Sequence, residues 1–114
     1  MVDLVLPLMK AFGKLQQATA LIAQKGMKDP EEAAAAATDY LRLFALVALG
    51  YMWARMAETA REKLDAGTEE AAFYDAKVKT ARFYMAKLLP QTNALFITIM
   101  AGAKPLMELE EAAF

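Results

Sequence analysis

The sequence has no cysteine and no histidine. The first absence excludes a disulfide framework and thiolate chemistry, and it is compatible with a reducing compartment. The second removes the commonest general base and the commonest transition-metal ligand together. Glycine and proline are sparse, at five and four residues, and the formal net charge is only −1. A chain with so little net charge exerts no overall pull on nucleic acid or anionic membrane, so nucleic acid is not expected as a partner. Also missing are G-x-G-x-x-G, a phosphate loop, and any nucleophile with a base partner. The N-terminal MVDLVLPLMKAFGK has no basic stretch ahead of its apolar residues and continues with helical periodicity, so it does not read as a signal peptide. A cytoplasmic location is expected.

What is present is apolar and helix-favouring. Hydrophobic residues make up 58% of the 114, rich in alanine and methionine, which predicts a single all-α domain over residues 1–114. The organising stretch is Asp39–Ala57, DYLRLFALVALGYMWARMA, whose run from Leu43 to Ala54 carries no charge. On a helix, Phe44, Val47 and Tyr51 point one way, Leu46, Leu49 and Trp53 another, and Leu41, Ala48 and Met52 a third. A helix apolar all round is expected to be covered all round. At about 1.5 Å per residue the uncharged run spans about 18 Å, short of the roughly 30 Å bilayer core, and arginines bracket it. It therefore reads as the central helix of a bundle, with no transmembrane segment.

The flanking sequence supplies the other helices. Helix 1 is predicted over about 4–25, with Val5, Leu8, Phe12, Leu15, Thr19 and Ile22 as its seam and Gly26 as a left-handed stop. Helix 2 is predicted over about 30–65: Asp29 caps it, Pro30 takes the first position, Glu32 can close a capping box, and Thr38-Asp39 is the one place for a kink. Helix 3 is predicted over about 69–101, capped by Thr68. Its seam of Tyr74, Val78, Ala81, Met85, Leu88, Thr92, Leu95 and Ile99 keeps phase through a kink at Pro90. A tail, 102–114, is expected to dock through Leu106, Met107, Leu109 and Phe114. Short connections predict an antiparallel three-helix up-down bundle with long second and third helices, completed by self-association or a partner domain. Helix 1, at about 33 Å, cannot cover helices of about 50 Å, so the expected interface is Trp53, Met52, Met56, Tyr51 and Tyr84.

Three constellations invite chemistry. The cations Lys77, Lys79, Arg82 and Lys87 could receive phosphates, but read better as a solvated face with Asp75–Lys79 pairing. The acids Glu108, Glu110 and Glu111 lack the spaced oxygen-ligand loop of a cation site. The aromatics Trp53, Tyr51, Phe83 and Tyr84 could line an acyl or ring pocket, but read better as core or interface. Glu58 and Glu62 as a catalytic base are disfavoured, because they sit on the polar half of helix 2 where little would shift their pKa.

ATDYLRLFALVALGYMWARMA, followed by KTARFYMAKLLPQTNALFITIMAGAKPLME, resembles the C-terminal helical domain of a branch of the acyl-CoA dehydrogenases, the branch that includes 3-methylmercaptopropionyl-CoA dehydrogenase. The YLRLF, ARFY, LLP and AGA-x-x-LM blocks occur in the expected order, and the resemblance covers nearly the whole chain. Position 45 is Ala where much of the family has Gly. The resemblance implies a parent enzyme that uses FAD and a carboxylate base to oxidise an acyl-CoA. It also implies that this segment binds no cofactor or metal and carries no catalytic residue, because the flavin-binding middle domain and the helix bearing the catalytic Glu are not in it. Its partners would be itself or the catalytic part of such an enzyme. A free-standing, self-associating protein that coats an apolar surface, phasin-like, is the alternative.

Overall fold

The computed structural model describes residues 1–114. The chain is all-α, with no strand: α1 (Val2–Lys28), α2 (Pro30–Asp65), α3 (Ala71–Phe83), a π-helical turn (Tyr84–Leu88), α4 (Gln91–Met100), a short α5 (Lys104–Met107) and a 3₁₀ turn (Glu111–Ala113). Asp29 both ends α1 and begins α2. Its N–H donates to the Lys25 carbonyl at 2.9 Å, while its side chain accepts from the Glu31 N–H at 3.1 Å. Pro30, Glu31 and Glu32 then fill the first turn, where acids favour the positive end of the helix dipole.

Two local expectations fail there. Gly26 is not a left-handed stop but lies inside α1, and the glycines at positive φ are Gly67 (79°) and Gly102 (76°). At Gly26 an added Cβ would lie 3.1 Å from the Cβ of Ala33, so glycine there permits close approach of α1 to α2. Glu32 does not close a capping box. Its Oε2 instead accepts from the Ala103 N–H at 3.1 Å, tying the start of α2 to the turn after α4. The helix does not restart at Thr38-Asp39: α2 is continuous from Pro30 to Asp65.

The pairs that meet define how the helices lie. Leu8 approaches Gly50 and Thr19 bonds Tyr40, so α1 and α2 run antiparallel. Tyr84 meets Leu46 and Ala103 meets Glu32, so the chain after Gly67 runs antiparallel to α2. Asp3 pairs with Arg82 and Lys14 with Asn93, so that returning stretch runs parallel to α1. The bundle is long and thin, 67 × 28 × 16 Å.

Pro90 shapes the return. It lacks an N–H, and in a straight helix its ring would strike the carbonyl of Ala86. A π turn absorbs the strain: the Leu89 N–H reaches back five residues to the Tyr84 carbonyl at 2.9 Å, and α4 restarts at Gln91. Every member of the seam from Tyr74 to Ile99 is buried or half-buried. The α1 seam is rotated from the expected one. Leu4, Ala11, Leu15 and Ala18 face the core, while Val5 and Phe12 remain 39% and 49% exposed. Small residues facing α2 let the helices approach, and the larger neighbours are turned outward. The tail does not dock either: Leu106, Met107, Leu109 and Phe114 are all exposed.

Asp3 joins α1 to the far helices, bonding Arg82 Nε at 3.0 Å and lying 3.9 Å from Arg61. Desolvation alone would raise its pKa, but the Arg82 hydrogen bond and nearby positive charge hold it below the usual carboxylate range. A lowered folded pKa gives stability that is present above the unfolded carboxylate pKa and lost as pH falls through the folded one. Because Asp3 is half exposed, the contribution is below about 1 kcal/mol. Asp3→Asn should lower the melting temperature slightly at pH 7, and the difference should shrink as the pH falls below the usual carboxylate range, read by circular dichroism; a loss that does not change with pH would remove the ion pair as the cause.

Candidate interaction surface

The buried line of α2 is Leu43, Val47, Gly50, Ala54 and Ala57. Its steps of three and four place it on one side of the helix, towards α1 and the return. The opposite side has no cover. Leu41, Phe44, Leu49 and Met52 are 69%, 51%, 52% and 54% exposed, so a helix expected to be enclosed all round is enclosed on one side.

Beside this open side, α1 and α2 leave a groove. Leu8, Met9 and Phe12 line it from α1, and Phe44, Ala48 and Tyr51 from α2, with Leu15 and Val47 deeper. Its volume is about 470 Å³ and every lining residue is apolar or aromatic. At one end Arg55 Nη1 donates to the Tyr51 hydroxyl at 2.9 Å, and the guanidinium lies 5.8 Å from the ring centroid. That hydrogen bond, followed by the charge interaction with Tyr51, raises the Arg55 pKa. Across α2, Met52 and Met56 border a shallower hollow with Phe73 and Tyr74.

The five residues expected at the interface therefore separate. Tyr51, Met52 and Met56 are exposed. Trp53 is half-buried against the core. Tyr84 is a correction: it is 4% exposed, and its hydroxyl donates to the Leu46 carbonyl at 2.6 Å. Burial pushes its phenol pKa up. The π turn carries Tyr84 inward beside Gly50, where an added Cβ would stand 3.4 Å from the ring, so a small residue there leaves it room. Sequence reasoning missed Met9, Phe12 and Phe44. The signal was the alanines of α1, Ala11 and Ala18, whose spacing marks the contact side and puts Phe12 outside it.

The other constellations are dispersed. Lys79 pairs with Asp75 at 2.7 Å, Arg82 bonds Asp3, and Lys77 lies 5.1 Å from the Phe73 ring centroid. Glu58, Glu62 and the tail acids are exposed, and no three acidic side chains converge as a metal site would require.

A family described as acetyl-CoA dehydrogenase C-terminal like matches residues 1–110. Among curated proteins, the broad-specificity linear acyl-CoA dehydrogenase FadE5 of Mycobacterium tuberculosis (strain ATCC 25618 / H37Rv) is 37% identical to the chain over 68 residues. That stretch is 58% of this chain and 11% of the relative, so the chain spans only a small part of the length of the curated protein it matches.

Proposed function

Because this chain belongs to the acetyl-CoA dehydrogenase C-terminal-like family, we propose that it is a single, non-catalytic helical domain that buttresses an FAD-dependent acyl-CoA dehydrogenase in the cytoplasm. Flavin and the acyl-CoA thioester belong, in this reading, to the rest of the enzyme. The resemblance to the 3-methylmercaptopropionyl-CoA branch is part of the proposal, and the name of the mycobacterial relative supports the acyl-CoA dehydrogenase chemistry. The carrying observation is the wholly apolar groove between α1 and α2 with the open side of α2 beside it. Contiguous exposed apolar surface of this extent is a docking surface rather than ordinary surface.

The test is a chimera in which this chain replaces the matching segment of the mycobacterial enzyme. Flavin content, mass and acyl-CoA oxidation should be retained, and introducing Phe12→Glu with Phe44→Glu should abolish assembly. A chimera without flavin or activity, or an isolated chain that binds FAD and turns over acyl-CoA, would overturn the reading.

One observation favours a second reading, the coating of an apolar surface. By length and composition α2 meets the requirement for a membrane span over a window that is 22% buried. Flotation of the chain with phospholipid vesicles, abolished by Phe44→Glu, would support it; a chain that stays in the dense fraction would remove it.

A further inference from the structure

We propose that a small pocket between α1 and the start of α4 binds a tetrahedral oxyanion, the phosphate group. Lys10 and Lys14 border it from α1 and Asn93 from α4, over a floor of Met85 and Leu89. Its volume is about 140 Å³. At roughly 30 Å³ per water that is room for about five waters, and so for an ion of five heavy atoms.

The charges around the pocket are of one sign. From Leu4 to Lys28, and again from Ala76 to Met107, the chain has no Asp or Glu. The edge that α1 shares with the returning helices therefore gathers cations with little to balance them, and its one acid, Asp3, is taken by Arg82 and Arg61. Neither Lys10 nor Lys14 pairs with a carboxylate. Four residues apart on one helix, they set two like charges on the same face, an arrangement that costs stability until an anion lies between them.

The donors suit an oxyanion and nothing else of that size. Lys14 donates to Asn93 Oδ1, which leaves the Asn93 Nδ2 hydrogens spare and two further N–H groups on Lys14, while Lys10 brings three. Thr92 adds none, because its hydroxyl already donates to the Leu89 carbonyl at 2.7 Å. No carboxylate lines the pocket, so a metal cation would find no anionic ligand there, whereas phosphate oxygens would accept charge-assisted hydrogen bonds from two helices. Lys10 and Lys14 each lie two residues, or about 200°, from Phe12. The pocket is thus on the far side of α1 from the apolar groove and can be filled whether or not that groove is docked.

The test is a titration of the 114-residue chain with sodium phosphate, against sodium chloride at matched ionic strength, followed by backbone amide NMR shifts and by melting temperature. Phosphate should shift the amides around Lys10, Lys14 and Asn93, and it should raise the melting temperature as its concentration passes the dissociation constant. Chloride should do neither. Lys10 is exposed, so Lys10→Gln should keep the fold and weaken phosphate binding about tenfold, the effect of one charge-assisted hydrogen bond. Lys10→Arg should retain binding, and Lys63→Gln, which removes the same charge from an exposed position on α2, should leave it unchanged. Glycerol 3-phosphate separates the sources of the group: binding equal to that of inorganic phosphate assigns the site to a phosphate carried on a larger ligand, and binding of inorganic phosphate alone assigns it to the free ion. No shift with either phosphate, shifts that chloride reproduces, or a Lys10→Gln chain that binds as the parent does would overturn the site.

Discussion

Gly50→Leu should destabilise the fold by about 3 kcal/mol or more and lower the melting temperature by on the order of 10 °C. Gly50 lies on the buried line of α2 where three elements converge. A Cβ there would stand 3.1 Å from Leu8 Cδ1, 3.3 Å from Leu89 Cδ1 and 3.4 Å from Tyr84 Cε1. Those atoms are the ends of flexible side chains, so a single methyl can be met by shifts of a few tenths of an ångström. Gly50→Ala should accordingly be near neutral, because the crowding is offset by the roughly 1 kcal/mol that alanine gains over glycine inside a helix. A leucine cannot be met that way. It must push Leu8 and α1 outward, or displace Tyr84 and break its bond to the Leu46 carbonyl. The contrast is Gly13, also helical, with no atom near its virtual Cβ. Gly13→Ala should raise stability by about 0.5–1 kcal/mol. Thermal unfolding followed at the helical dichroism band checks all three, and a Gly50→Leu chain that melts with the parent would show that the three-way contact is loose.

These glycines illustrate what the sequence made legible. Punctuation was readable where one residue has one local job, as where Asp29-Pro30 starts α2. Periodicity was readable where it draws on large residues with one partner, as along the seam from Tyr74 to Ile99. It misled on α1, because large residues were assumed to point inward. There the contact side is marked by alanine, and Val5 and Phe12 are the residues turned outward. Glu32 and Tyr84 were illegible for another reason. Each is placed by a partner distant in sequence, Ala103 and Leu46, and spacing along one helix carries no information about such a bond. The open face follows the same logic: an all-apolar helix demands cover, and periodicity cannot say whether its own chain provides it.

Leu43 and Leu41 turn that question into a measurement. They are two residues apart, on either side of Arg42, yet Leu43 is 0% exposed and Leu41 is 69% exposed. Leu43→Ala removes methyl groups from the buried core to which Leu43 belongs, leaving a cavity whose lining can only partly relax. A loss of about 3 kcal/mol is expected, within the usual range for buried leucine. Leu41→Ala removes similar groups from a side chain already in water, and leucine and alanine differ little in helix propensity, so the isolated fold should change by less than about 0.5 kcal/mol. If the face is a docking surface, Leu41→Ala acts elsewhere: it should leave the unfolding of dilute chain unchanged while weakening association, whereas Leu43→Ala should lower stability at every concentration. Unfolding at several chain concentrations separates the two, because only a residue buried by assembly has an effect that grows with concentration. A loss of several kcal/mol from Leu41→Ala in dilute chain would mean that this side of α2 is covered by the chain itself, and the case for a surface awaiting a partner would end there.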